Sequence, residues 1–513
     1  MESTVSQPDA ESRAGTPAGR LRATAASRAD HPALRWQDRS MTYGQLDARV
    51  DAGTAALAGL GVGPGDRVAI VLGNVPAFVE AWFAVLRLGA VAVPAAPALA
   101  ADELRHVLVD SGTIVAVVSP VVADAIETIR GSVPGLRALV VAGAVGSAGD
   151  ERWGDLLEGA GEPVAHERGD QDLAALIYTS GTTGRPRGAM LTNRNLVANQ
   201  DQSLAGRHRL EPDDVVLLVL PLFHVYGLNV GLGPTVAVGC TVVLQERFDP
   251  VATADLIESA GVSVVLGAPP MYVAWAQHPP TDSLAGVRLC ASGAAPLPRS
   301  VAETFLRATG LTIREGYGLT EAAPSVTSSA LADEVRPGSV GLALPDVELR
   351  LVEDDVDVAD GDPGEVWVRG PNVFVGYWQD EEATARALTD DGWLRTGDVG
   401  VFDEDGWLYL VDRHTDLVIV SGFNVYPREV ERVLRAHPAV ADAAVVGVPH
   451  PATGESVVAY VVRAGDEELS EAELDEFCRA RLARYKCPVS IRVVPELPRT
   501  VTGKVRRADL RLA

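Results

Sequence analysis

A chain of 513 residues is longer than one ordinary domain, so at least two are expected. Hydrophobic residues make up 47% of it, enough for sizeable cores and against a disordered chain. With 44 basic against 69 acidic side chains the net charge is −25, which argues against a nucleic-acid duplex or an anionic membrane as a partner of the whole surface, because phosphate contacts need a basic footprint.

The chain starts MESTVSQPDAESRAGTPAG, with neither a basic segment nor an apolar one, and reads as a disordered tail over 1–25 rather than a signal peptide. Thr42-Tyr43-Gly44-Gln45 fits a capping box opening a helix that runs to about Leu60. An apolar strand at Arg67–Leu72, a helix through Phe78–Leu88 and a short run at Ala90–Pro94 follow. The alternation continues with a helix at 101–110, a strand at 113–118, a helix at 121–130 and a strand at 138–141. Further strands are expected near 173–178, 214–220, 241–245 and 263–268. Short apolar strands alternating with helices predict an α/β fold of largely parallel, doubly covered sheets. From about 335 to 412 the segments Val347–Val352 and Glu365–Arg369, with turns at Gly361 and Gly364, predict a β-rich subdomain.

Residues 413–424 mark a break. Beyond it a helix at Glu429–Ala436, strands at Ala443–Val448 and Ser456–Val462, a helix at Glu471–Arg484 and a strand at Ile491–Val494 form a small α+β unit. The expected organisation is thus a large N-terminal domain over 26–412, a hinge, and a mobile C-terminal domain over 413–513. No apolar run approaches the ~20 residues of a membrane span. Cys240, Cys290, Cys478 and Cys487 lack metal-ligand spacing and are expected to be reduced, which suits the cytoplasm.

Only two lysines occur, Lys486 and Lys504; every other basic residue is arginine. A chain that uses Arg for generic charge draws attention to a retained Lys, because a compact ammonium is not a guanidinium. Lys504 lies in a Pro/Thr/Gly-rich loop, and Lys486, in RYKCP, reads as a solvated charge at a helix end.

The segment Leu176–Leu191 contains IYTSGTTGRPRGAML: an apolar strand, a hydroxyl- and glycine-rich loop, then arginines. Glycines let successive N–H groups turn toward an anion and hydroxyls add donors, so such a loop suits a polyphosphate, although it is not a Walker A sequence. In GYGLTE (316–321), glycines permit close approach of a flat ligand, Tyr317 offers a ring face, and Glu321 is a hard oxygen ligand suited to Mg²⁺ beside phosphates. Asp398, in LRTGD, can accept from two ribose hydroxyls.

These blocks resemble, in order, those of the adenylate-forming superfamily, which includes acyl-CoA synthetases, aryl-CoA ligases and nonribosomal adenylation domains. PLFHVYG (221–227), SGAAPL (292–297), VDRHTDLVIVSGFNVYPREVE (411–431) and RTVTGKVRR (499–507) extend the resemblance over about 30–513. It implies an AMP-forming acid–thiol ligase that uses ATP, Mg²⁺ and coenzyme A, or the phosphopantetheine of an acyl carrier protein. It assigns phosphate contact to Ser180, Gly181, Thr182, Thr183, Gly184, Arg187 and Thr320, and nucleotide contact to Gly293, Ala294, Ala295, Glu315, Gly316, Tyr317 and Gly318. Asp398 and Arg413 fall on the ribose, Gly422 on the pantetheine tunnel, Lys504, Glu321, Thr179 and His224 on catalysis, and Glu321 also on Mg²⁺. A mobile ammonium at Lys504 offsets the repulsion between a carboxylate and an α-phosphate.

Two positions depart from the pattern: Arg187 stands where relatives have Lys, and Thr415 occupies the hinge position, usually Asp or Lys. The expected acid pocket comprises His224, Val225, Tyr226, Val230, Gly267, Met271, Gly293, Gly318 and Pro324, with Gly316 where malonate-activating relatives carry Arg. An uncharged pocket selects an uncharged tail. A medium- or long-chain fatty acid is favoured, then an aryl acid. A binding module without activity is the rival from another class; carboxylate-dependent pyrophosphate release discriminates.

Overall fold

The computed structural model describes residues 15–142, 151–162, 166, 168–180, 186–295, 297, 299–353, 355–359, 361–411, 418–421, 423–425, 427–465, 469–498 and 510. Two large sheets dominate. The first has seven strands in the spatial order Glu151–Arg152, Ala138–Val141, Thr113–Val118, Arg67–Val71, Val91–Pro94, Leu173–Ser180, Pro186–Thr192, parallel except for the last. Every residue of Thr113–Val118 is buried. A parallel strand covered on both faces needs this continuous apolar run, which is why it was legible in sequence.

The second sheet has nine strands, with the parallel set Ile313–Gly318, Leu289–Ser292, Val264–Gly267, Val215–Leu218 and Thr241–Leu244 at its centre. The helix Pro76–Leu88, buried from Phe78 onward, lies within the largest core cluster, which draws on both sheets. Its two buried charges are compensated: Glu80 pairs with Arg49 and accepts from the Trp153 indole N–H, and Arg87 pairs with Asp47 and Asp51.

The expected β-rich portion is an antiparallel five-stranded sheet, Val356–Asp357, Glu348–Glu353, Gly364–Arg369, Leu394–Phe402, Leu408–Val411. Gly364 opens a strand there instead of making a turn. The last sheet pairs Val440–His450 with Gly454–Arg463, flanked by Val418–Val420, Phe423–Val425 and Ser490–Val493, and packs on helices Pro427–Arg435 and Glu471–Arg479 around its own core.

Two further expectations need correction. The tail drawn over 1–25 overlaps a helix, Pro17–Ser27, capped by Thr16 and seated by the fully buried Leu21. The helix expected over Glu471–Arg484 ends at Arg479, and a separate turn of 3₁₀ helix follows at Arg484–Lys486. The hairpin Pro32–Trp36/Arg39–Thr42, which edges the nine-stranded sheet, was not foreseen. The hinge position Thr415 lies outside the described residues. All four cysteines are free and buried. Among the described residues no helix is long and apolar enough to cross a membrane.

Candidate active site

The strand Ile313–Gly318 carries the segment with the clearest chemistry. Strand alternation puts Arg314, Gly316 and Gly318 on one face and Glu315 and Tyr317 on the other. A Cβ at Gly318 would lie 2.1 Å from the Pro324 carbonyl oxygen, and one at Gly316 would lie 3.0 Å from that of Thr327, so only glycine lets the returning chain pass so close. On the other face the Tyr317 hydroxyl donates to Asp398 Oδ2 over 2.7 Å. Asp398 is 7% exposed and follows Gly397, whose φ of +71° bends the strand. Thr320 and Glu321 sit in a short 3₁₀ turn directly beyond, where Glu321 Oε1 accepts from the Tyr377 hydroxyl at 2.8 Å. Burial raises the Glu321 pKa; the Tyr377 bond opposes that rise and the Asp398 carboxylate adds to it. A cation beside Glu321 would favour its ionised form. Among the described residues no three His, Cys, Asp or Glu side chains converge; a single carboxylate such as Glu321 is a hard oxygen ligand of the kind Mg²⁺ takes beside phosphates.

These residues open onto a cleft of about 450 Å³, within the ordinary range for a small-molecule site, about 300–1,000 Å³. Thr179, Arg187, His224, Tyr226, Val230, Gly293, Ala294, Gly316, Tyr317, Gly318, Thr320, Glu321, Pro324 and Asp398 all contribute to its wall. Tyr226 and Val230 project from a π-helical segment, Tyr226–Leu232, a wider turn that is common where helices serve a site. The Tyr226 ring lies 3.0 Å from where a Gly293 Cβ would be. His224 is exposed to the cleft yet enclosed by protein around it, and that enclosure pushes its pKa down to about 4. Its Nδ1 accepts from the Tyr226 backbone N–H, so the neutral ring carries its proton on Nε2.

Some expected residues fall elsewhere. Met271 is buried in a core cluster with Tyr272 and Trp275, and Gly267 packs against the Tyr272 ring; neither lines the cleft. Helix Pro269–Gln277 directs Met271 to the core, a choice of face the local sequence does not fix. Ala295 and Glu315 also lie off the cleft wall. Burial nonetheless raises the Glu315 pKa to about 7, opposed by a hydrogen bond from the Leu297 backbone. Arg187 pairs with Asp380 (Nε–Oδ2 2.9 Å) and lies over the Tyr377 ring. Gly181, Thr182, Thr183, Gly184, Arg413, Gly422 and Lys504 lie outside the described residues, as does the side chain of Ser180.

Sequence reasoning missed one end of the cleft. Ser203, in the last turn of the helix Asn193–Leu204, and His208 and Arg209, which follow it, line the cleft with Arg314 and Ser328, as do Leu204, Leu210 and Leu331. The backbone fixes this arrangement: His208 N–H donates to the Ala330 carbonyl, and the Arg314 guanidinium donates to the carbonyls of Ser329, Ala332 and Asp333. Arg314, two residues before Gly316 on the same strand face, was the available signal.

Two family models match the chain: AMP-binding enzyme over residues 21–378 and AMP-binding enzyme C-terminal domain over 429–504. The feruloyl-CoA synthase of an Amycolatopsis species is 40% identical over 485 residues, covering 93% of this chain and 95% of the relative. A long-chain-fatty-acid–CoA ligase of Escherichia coli O157:H7 is 35% identical over 527 residues, covering 94% and 92%. Among solved structures, the amide bond synthetase McbA from Marinactinospora thermotolerans superposes with a TM-score of 0.87 at 31% identity, covering 97% of this chain and 99% of that one. A double mutant of the Bacillus subtilis o-succinylbenzoate CoA synthetase, bound to a product analogue, gives 0.85 at 30% identity, covering 96% and 98%. ATP-bound MatB from Rhodopseudomonas palustris gives 0.73 at 35% identity, covering 97% and 98%.

Proposed function

Because this chain belongs to the AMP-binding enzyme family, we propose that it activates a carboxylic acid with ATP and transfers the acyl group to coenzyme A. In the first step a carboxylate oxygen attacks the α-phosphorus and pyrophosphate leaves. In the second the thiol sulfur attacks the acyl carbonyl, AMP leaves, and the thiol proton passes to solvent. The observation that carries this proposal is a single cleft that joins Tyr317, Asp398, Thr320 and Glu321 to an apolar wing around Tyr226 and Val230. In this scheme Tyr317 stacks on adenine, Asp398 accepts from ribose, and Thr320 with the loop after Thr179 holds phosphate. Glu321 supplies one oxygen to Mg²⁺, which would neutralise phosphate charge when bound. The neutral His224 offers Nε2–H to an acyl oxygen at the head of the wing. Lys504 is the ammonium of the first step.

The wing's composition points to the acid. Arg314 is committed to three backbone carbonyls, so it is a poor partner for a distal carboxylate. Ser203, His208 and Ser328 give the far end hydrogen-bonding groups that the methyl end of an alkyl chain would leave unused. This reverses the order expected from sequence and puts an aryl acid of the feruloyl class first. A medium- or long-chain fatty acid remains the second candidate because leucines make up much of the wing wall. A panel of ferulate, a fatty acid and malonate, with pyrophosphate release as readout and CoA, a carrier protein or an amine as acceptor, tests both parts. No pyrophosphate release with any acid would refute the activity, and a better kcat/KM for the fatty acid would refute the ranking.

A further inference from the structure

The large unit and the C-terminal unit meet through a buried ion cluster outside the reacting groups. Lys486 Nζ lies 2.8 Å from Glu429 Oε1, in its own C-terminal unit, and 3.1 Å from Glu103 Oε1, on the helix Ala101–Asp110 of the large unit. The side chains are 4%, 2% and 8% exposed respectively. Glu103 also caps its own helix, Oε2 accepting from the Ala100 N–H, so its carboxylate is held fixed. Among the described residues, the buried Glu429 Oε2 has no hydrogen-bond partner. The ammonium therefore has one partner in its own unit and a second only when the two units meet as they do here. Lys486 and Glu103 also line the cleft, beside the stacked rings of Phe423 and Tyr485 (4.4 Å, 25°).

Buried ion pairs contribute little net attraction because desolvation offsets it, but a mismatched one is costly, so they suit fixing a register better than adding stability. A single ammonium fits between two carboxylates where a planar guanidinium would not, which accounts for a retained lysine in an arginine-rich chain. The present arrangement overlaps better with the CoA synthetase bound to its product analogue (TM-score 0.85 over 96% of this chain) than with ATP-bound MatB (0.73 over 97%), although MatB is more similar in sequence.

We propose that Lys486 and Glu103 are positioning residues for thioester formation: their bridge registers the C-terminal unit in the arrangement used by the thiol step and is absent during adenylation. This rests on the two-step function proposed above. The test is Glu103→Gln in the full-length protein; its oxygen can still accept from Ala100 while its amide no longer holds the ammonium. With synthetic acyl-adenylate and CoA, thioester formation should slow about 5- to 150-fold, the usual span of coupling between sites. Pyrophosphate release from acid and ATP should stay at wild type, and a single cooperative melt should show that the variant folds. The double variant Lys486→Met/Glu429→Gln, which leaves no lone buried carboxylate in the C-terminal unit, should show the same selective loss. Hydrogen exchange gives a readout independent of turnover: peptides covering 95–103 and 484–487 should lose protection in Glu103→Gln. Wild-type thioester rates with unchanged protection would overturn the proposal, as would equal loss of both half-reactions. A wild-type protein inactive toward every acid would instead remove the proposed function, with the exchange comparison still deciding whether the bridge holds the units together.

Discussion

Gly318→Ala puts a quantitative demand on the site. The added Cβ would lie 2.1 Å from the Pro324 carbonyl oxygen and 2.8 Å from its carbon, both backbone atoms. That carbonyl cannot swing aside freely, because it accepts from the Leu319 N–H at 2.9 Å, and losing the bond would cost about 1 kcal/mol. Relief to an ordinary contact needs about 1 Å of movement between the two segments, a displacement that costs about 10²-fold where reacting groups must be aligned. Tyr317 and Thr320 flank the position, so the movement should fall on nucleotide and phosphate contacts. Overpacking of this kind costs roughly 1–3 kcal/mol of stability, against a typical net of 5–15, so the variant should fold. The assay is kcat/KM for acid-dependent pyrophosphate release, with melting temperature alongside. Gly154→Ala, where no described residue lies within 4 Å of the new Cβ and the residue is helical, is the control and should be neutral or slightly stabilising. Wild-type kcat/KM in Gly318→Ala would refute the claim that this close approach sets the site.

Lys504→Ala should lose about 10²–10³-fold in pyrophosphate release, as single electrostatic stabilisers do. The same variant should turn synthetic acyl-adenylate into thioester at near the wild-type rate; loss of both steps would contradict the assignment. Burial raises the Glu315 pKa to about 7, so its carboxylate ionises as pH rises through that value. If it accepts from the adenine amine, the KM for ATP should fall between pH 6 and 8, and Glu315→Gln should flatten that profile. Stability should respond too: a carboxyl whose folded pKa lies above its unfolded value stabilises the fold below about pH 4.5, and that contribution is lost as pH rises to about 7. Urea melts across that window, compared with Glu315→Gln, check the slope. Gly293→Ala would bring a methyl group within 3.0–3.2 Å of the Tyr226 ring, so KM should rise more for a flat aryl acid than for a short alkyl acid. Equal change for both would mean that Gly293 does not border the acid.

The sequence by itself determined the layers, the strand and helix order and the nucleotide face of the cleft, because each depends on short-range physics. Thr113–Val118 is apolar throughout because both faces of a parallel strand are covered, and Thr42 with Gln45 closes a capping box within four residues. The close approach at Gly316 and Gly318 likewise leaves its mark in two glycines at alternate positions. Only the tertiary structure decided what depends on partners far along the chain. Nothing near Met271 tells whether its helix turns that side chain to the core or to the cleft. The far end of the acid wing exists because the turn after Leu204 docks on Ala330. Lys486 read as a solvated helix-end charge, since nothing local distinguishes it from one. Its partners stand 57 and 383 positions away, and burial among them, which no sequence window records, makes it a bridge between the large unit and the C-terminal unit.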